Sequence, residues 1–240
     1  MKIANSTAFV TGSNRGIGRR IVQSLLERGA KRVYAAARRT ESLDELVRDN
    51  EGRVVPIALD VTNPEQAARA AAQAGDVTLL VNNAGSLASL SVLQASRDQL
   101  QADLDVNFFG ALETTKAFVP VLENNGGSVV NVLTVLSYAP MPAIGGYSAS
   151  KAAAWSMTQA LRAELASRNV TVHGVYPGAV DTDMIRDFDM TKASPADVAN
   201  AVLDGVEAGR EDIYPDAMSQ GLADVWRKDP KALERQFAAM

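Results

Sequence analysis

With 240 residues, 47% of them hydrophobic and 22% charged, the chain can bury a substantial core as one large domain or two small ones. A net charge of −4, with no long block of either sign, argues against a nucleic-acid binder. The absence of cysteine excludes disulfides, thiolate zinc sites and iron–sulfur clusters, and a lone histidine, His173, leaves little for a multi-histidine centre, so no metal is expected.

The first residues lack the continuous apolar stretch of a signal peptide, and no apolar run reaches bilayer-spanning length; a soluble, cytoplasmic protein with no membrane partner is expected. Residues 6–11 (STAFVT) read as the first strand. The stretch TGSNRGIG follows, with glycines at 12, 16 and 18, and then a helix whose Ile17, Ile21, Leu25 and Leu26 recur at the helical period. A GxxxGxG turn between a strand and an amphipathic helix lets backbone approach a pyrophosphate and offers it a helix N-terminus, so a nucleotide site is expected here. Residues 32–37 (RVYAAA) form the second strand. An NAD site commonly places an acid just beyond it, to hold the ribose 2′-hydroxyl. This chain has Arg38 and Arg39 instead, with Arg15 in the glycine turn, and such cations favour the extra phosphate of NADP.

Further strands are expected at 54–59, 77–81, 128–134, 170–176 and 212–214, several of them near-continuous apolar runs of the kind found in parallel sheets covered on both faces. Between them the helix grammar is plain. Thr62 or Asn63 can cap a helix with Pro64 in its first turn and Gly75 at its end, and Ser194, Pro195 and Gly209 repeat the arrangement. His173 falls in an apolar strand, which predicts a packing role. In GGYSASKAA, residues 145–153, Tyr147 and Lys151 stand at i and i+4 and share one helical face. A nearby ammonium, together with the positive nicotinamide of an oxidised cofactor, favours a phenolate and lowers the phenol from its ordinary pKa of ~10, which suits a general acid–base working near neutral pH. The small residues Gly145, Gly146, Ser148 and Ala149 leave room for ligands to approach. Residues 223–240 read as a helical extension broken at Pro230, covering the pocket, touching a neighbouring subunit or frayed. Strand–helix alternation without a linker predicts a single doubly wound α/β domain over 1–240.

Six stretches in this order, TGSNRGIG, LDV (59–61), NNAG (82–85), NFFG (107–110), YSASK and YPGAVDTDM (176–184), resemble the short-chain dehydrogenase/reductase family over about residues 5–215. The resemblance implies a Rossmann-like domain with a parallel seven-stranded sheet of order 3-2-1-4-5-6-7, helices on both faces, and a homodimer or homotetramer. It implies an NADP(H)-dependent oxidoreductase acting on a small-molecule carbonyl or alcohol. On this reading Gly12, Asn14, Arg15, Gly16, Ile17 and Gly18 surround the cofactor phosphates and Arg38 meets the 2′-phosphate. Asp60 and Val61 hold the adenine, while Asn82, Ala84 and Gly85 flank the adenosine ribose and steady the central strand. Lys151 holds the nicotinamide ribose beside the acid Tyr147, and Pro177, Gly178, Val180 and Thr182 meet the carboxamide.

The family usually has a serine thirteen residues before the tyrosine, to bind the substrate oxygen; here that position is Thr134. Threonine keeps the hydroxyl but adds a methyl and stiffens χ1. Ser137 is the competing candidate, disfavoured because three residues along an extended strand reverse the face. Asn107 is implied to kink its helix and hold a water linking Lys151 to solvent. Leu136, Ser137, Tyr138, Met141 and Ile144, with Met184, Phe188 and Met190 downstream, suggest an apolar pocket for a lipophilic ketone, aldehyde or secondary alcohol. The alternative is an NADP-binding sensor or scaffold with weak catalysis, for which Thr134 is the one supporting feature.

Overall fold

Parallel strands organise the molecule. In the computed structural model, which describes residues 1–50, 52–88 and 90–239, the chain runs β1 (Thr7–Thr11), α1 (Gly16–Glu27), β2 (Arg32–Ala37), α2 (Asp44–Arg48), β3 (Val54–Ala58) and α3 (Pro64–Gln73). It continues through β4 (Leu79–Asn82), α4 (Arg97–Leu104), a π-helical turn (Asp105–Gly110), α5 (Ala111–Asn125), β5 (Ser128–Val132) and α6 (Gly145–Ala166). The last elements are β6 (Thr171–Val175), α7 (Pro195–Glu207), β7 (Asp212–Ile213), α8 (Ala217–Lys228) and α9 (Pro230–Ala238). The seven strands form one sheet in the order β3-β2-β1-β4-β5-β6-β7, every pair parallel.

Alternate strand residues feed opposite layers, as the pleat requires. Phe9, Leu80, Val129 and Val172 point into a core shared with α3, α5 and α6, which includes Phe118, Leu122 and Leu161. Ala8, Val10, Leu79, Val81 and Val130 face the other core, filled by Ile21, Val22 and Leu25 of α1 and by Val198, Val202 and Leu203 of α7. Helix starts follow the sequence grammar. Asn63 accepts from Gln66 N with Pro64 next, and the Ser194 hydroxyl accepts from Ala196 N and Asp197 N with Pro195 next. The first of these helices ends at Gln73, before Gly75. At the C-terminus the break falls at Asp229–Pro230, as expected. The helical region starts earlier, at Ala217, and Leu222, Ala223, Leu233 and Phe237 are buried, so it packs as part of the structure. Met240, which the expected extension includes, lies outside the described residues.

His173 is 1% exposed in β6, and its Nδ1 sits 2.6 Å from the Arg210 carbonyl, which assigns that nitrogen as the donor. No helix among the described residues is long and apolar enough to cross a membrane.

Candidate active site

β1 lies between β2 and β4, so the sheet order reverses there, and a crevice opens beyond the carboxyl ends of strands at such a reversal. The crevice is a cleft of about 510 Å3, within the usual range for small-molecule sites. Its floor is the glycine turn. Gly12 has φ +66°, and a Cβ there would lie 2.9 Å from Ala84 Cα. A Cβ on Gly18 would come within 2.3 Å of the Gly12 carbonyl oxygen and of Asn83 Nδ2. The Asn83 amide seals the turn by donating to the carbonyls of Thr11 (2.9 Å) and Gly12 (3.1 Å). α1 opens directly behind, with no side-chain cap on its first N–H groups, and Gly16 and Ile17 line the cleft.

The cleft gathers most of the expected cofactor-binding residues. Gly12, Asn14, Arg15, Gly16, Ile17, Arg38, Asp60, Val61, Ala84, Gly85, Tyr147, Lys151, Pro177, Gly178, Val180 and Thr182 all line it. Gly18 does not: its role is to let α1 close against Gly12 and Asn83. Asn82 does not either, because its side chain is 5% exposed inside the sheet layer and donates to Thr115 Oγ1 (2.9 Å) and Asn131 Oδ1 (2.8 Å). The strand-steadying half of its expected role is the one the geometry provides. Arg15 is drawn across the opening to Asp183, at 3.4 Å, and Asp183 also pairs with Arg186. Arg38 and Arg39 stand exposed at the tip of β2 with Ser42 beside them in the lining. Close-approach backbone, an uncapped helix start and a cationic strand tip fit a nicotinamide dinucleotide, and the two arginines fit one bearing a 2′-phosphate.

At the other end of the cleft, α6 brings Tyr147 and Lys151, 9% and 5% exposed, into the lining together with Thr134. Lys151 Nζ donates to the Val132 carbonyl at 2.8 Å and lies 6.0 Å from the Tyr147 ring centre. Burial brings the Lys151 ammonium down to about 8, against a smaller opposing pull from the Asp103 carboxylate. Burial pushes the Tyr147 phenol above its ordinary value, and the charge of Asp103 adds to the rise. The expected acidified phenol is therefore not a property of the apoprotein. In the chain by itself burial sets the direction at Tyr147, and the oxidised nicotinamide is the other half of the expected lowering.

Thr134 has extended backbone (φ −166°, ψ 159°) and caps a 3-10 turn, Val135–Ser137. Its Oγ1 donates to the Pro177 carbonyl and accepts from Leu136 N, each at 3.3 Å, long for hydroxyl bonds and readily exchanged. Ser137 is buried in that turn, and its Oγ has no partner among the described residues. Thr134 rather than Ser137 reaches the cleft, but the reason is the turn: the chain leaves β5 at Val132 and is not extended between the two. Asn107 sits at 3% exposure in the π-helical turn, the irregularity expected of it. Its amide grips both backbone groups of Ser86, each at 3.0 Å, and donates to Ser150 Oγ at 2.9 Å.

Few of the residues expected to form the substrate pocket line the cleft. Met184 lines the cleft; Leu136, Ser137, Tyr138, Met141, Ile144 and Phe188 do not. Tyr138 stacks on Trp226 (4.3 Å between ring centres) and Tyr176 (4.9 Å), and its hydroxyl meets that of Tyr214 at 2.9 Å, an aromatic cluster beneath α8. Ile144 is 5% exposed and Leu136 packs against the same core as Tyr138. The cleft wall includes Ser86, Val106 and Ile185, which sequence reasoning missed, and Leu90, Val92 and Leu93 stand exposed nearby, with Val92 Cγ1 3.2 Å from the Cβ position of Gly145. A signal was present: an apolar stretch, SLSVL at 89–93, three residues beyond NNAG.

A short chain dehydrogenase family model matches residues 6–193. An uncharacterised oxidoreductase of Staphylococcus saprophyticus is 33% identical over 215 residues, covering 85% of this chain and 92% of its own. Among solved structures, a short chain dehydrogenase from Burkholderia cenocepacia in complex with NADP superposes with a TM-score of 0.94 at 42% identity, covering 99% of each chain. An alcohol dehydrogenase from the archaeon Thermococcus sibiricus, complexed with 5-hydroxy-NADP, gives 0.79 at 26% identity over 87% of this chain and 95% of its own.

Proposed function

The chain belongs to the short-chain dehydrogenase family, and on that premise we propose that it is an NADP(H)-dependent oxidoreductase that reduces lipophilic ketones or aldehydes to alcohols. The observation that carries the reading is the convergence of Thr134, Tyr147 and Lys151 on one end of a cleft whose other end is the glycine turn and the Arg38–Arg39 tip. Bound there, the dinucleotide supplies the hydride that the carbonyl carbon receives.

The chain's own residues supply the rest. Thr134 and Tyr147 offer hydroxyl donors to the carbonyl oxygen as it gains negative charge, and preorganised donors act mainly where that charge develops. Tyr147 then gives up its proton as the oxygen takes it. Lys151 stabilises the phenolate left behind, at a site where burial makes each charge count for more than in water. Met184 presents apolar surface in the cleft, and the exposed Leu90, Val92 and Leu93 stand beside the start of α6, which carries Tyr147. The NADP complex of the Burkholderia cenocepacia relative supports the cofactor, together with the absence of an acid where β2 ends.

The test is Tyr147→Phe. This variant should lose measurable oxidation of NADPH across a panel of ketones and aldehydes while binding NADPH nearly as the parent does, read by nucleotide fluorescence. Retained turnover would remove Tyr147 as the acid, and binding without turnover in the parent protein would favour a sensor.

A further inference from the structure

α4 is a polar helix, started by a capping box at Ser96 and Gln99, and the one residue it buries is an aspartate. Asp103 is 0% exposed. A buried carboxylate is costly unless hydrogen-bonded, and this one is answered from the cleft wall: its Oδ1 accepts from Ser86 Oγ at 2.6 Å and from Ala88 N at 2.8 Å. Ser86 lines the cleft, and both of its backbone groups are held by the Asn107 amide. Asn107 continues to Ser150 Oγ, which donates to the Tyr147 carbonyl at 2.7 Å. An unbroken chain of hydrogen bonds thus runs from Asp103 to the helical turn that carries Tyr147 and Lys151. Asp103 is also the charged side chain whose field reaches both of those groups.

We propose that Asp103 is a positioning residue for the reaction proposed above, clamping Ser86 and Ala88 as one wall of the cleft and serving as buried counter-charge to Lys151. The proposal rests on the reading of Tyr147 and Lys151 as the working pair. The titratable groups facing Asp103 from α6 are Tyr147 and Lys151. The π-helical turn brings Asp105, whose carboxylate accepts from Gln101, and the 82–88 segment brings none. A negative charge favours the proton-bound form of a phenol and of an amine alike. The coupled pair therefore gives up its first proton at a higher pH with Asp103 than without it, whichever member loses it. Reduction needs that proton on Tyr147, so Asp103 keeps the site competent as a donor toward alkaline pH.

Asp103→Asn separates charge from clamp, because an amide oxygen can accept the same two bonds at Oδ1. Asp103→Ala removes both, and Asp103→Glu keeps the charge. Lys151 is read directly by carbon NMR of the full chain labelled at lysine Cε, its resonance assigned by its absence in Lys151→Met. In Asp103→Asn the Lys151 midpoint should fall below its parent value by on the order of one pH unit. The alkaline limb of ketone reduction should fall with it, at a KM within about threefold of the parent. Asp103→Glu should restore the midpoint, and Asp103→Ala should lose a further tenfold or so in kcat/KM through the unclamped wall. An unmoved Lys151 midpoint in Asp103→Asn, or equal kinetics for the Asn and Ala variants, would overturn the proposal. The NMR titration requires no turnover, so a parent protein inactive on every carbonyl compound would sink the proposed reaction and still leave the Asp103–Lys151 coupling decided.

Discussion

Residue by residue, the chemistry depends on a few hydroxyls and cations whose neighbours define what they can do. Thr134 is where the chain departs from the serine of its family, and the hydroxyl still arrives at the cleft, on bonds long enough to be exchanged for a substrate oxygen. Thr134→Val keeps the shape and removes the donor. It should cost on the order of a hundred- to thousandfold in kcat, the usual effect of deleting one oxyanion donor. Thr134→Ser should stay within about tenfold of the parent, and initial rates of NADPH consumption would read both. Arg38 is exposed at the tip of β2, open to a ligand's phosphate. Arg38→Asp should weaken NADPH far more than NADH, because it turns an attraction to the 2′-phosphate into a repulsion, and comparison of the two Michaelis constants checks it. These residues were legible because each sits in a short motif whose spacing carries its own geometry. Asp103 was not: nothing local in RDQLQADL marks one of its two acids as the residue that folding buries.

The seven strands and the two capped helices were legible to within about two residues, for a physical reason. Parallel strands covered on both faces are apolar runs, and capped helices announce their first turns. The segment after β5 was read as strand to Thr134, yet β5 ends at Val132 and a 3-10 turn follows at Val135–Ser137, so Leu136 and Ser137 do not continue the strand and do not line the cleft. Leu136 and Tyr138 pack against the core beneath α6 and α8 and Ile144 is buried, and hydrophobicity alone does not distinguish that from lining a ligand site. The glycine turn shows the opposite case, where an element's packing can be predicted from one atom. Alanine is favoured over glycine in a helix by about 1 kcal/mol. At Gly18, however, the added methyl would meet a backbone oxygen and a hydrogen-bonded amide at 2.3 Å, and overpacking of that kind costs about 1–3 kcal/mol. Gly18→Ala should therefore lower the melting temperature, at about 2–4 °C per kcal/mol for a chain of this size. It should also shrink the stabilisation that NADPH confers, since the displaced group is Gly12 of the cleft floor.

Across the whole molecule, pH acts on stability through very few groups, because the chain has a single histidine and it is buried. His173 joins β6 to the Arg210 carbonyl in the turn between α7 and β7, and its Nε2 has no partner among the described residues. Protonation would place a charge and an unanswered N–H inside the sheet layer. Burial accordingly holds the imidazole below its ordinary value, outweighing the carbonyl that pulls the other way. The unfolded chain, with a histidine pKa of about 6.5, takes up its proton first as pH falls. Below that point the unfolded state binds more protons than the folded one, so stability declines with falling pH at up to about 1.4 kcal/mol per unit, until the folded pKa is passed. Glu45, Glu123 and Asp183 are held low by arginines, so their contributions are present at neutral pH and fade only as pH drops through the ordinary carboxylate range and below. The interval between pH 6.5 and about 5 belongs to His173. Urea unfolding at steps across that interval should show stability falling steadily as the pH is lowered. His173→Asn keeps a donor for the Arg210 carbonyl and cannot titrate; whatever its absolute stability, its curve should be flat where the parent's slopes. A variant that slopes like the parent would move the acid sensitivity of the fold to some other group.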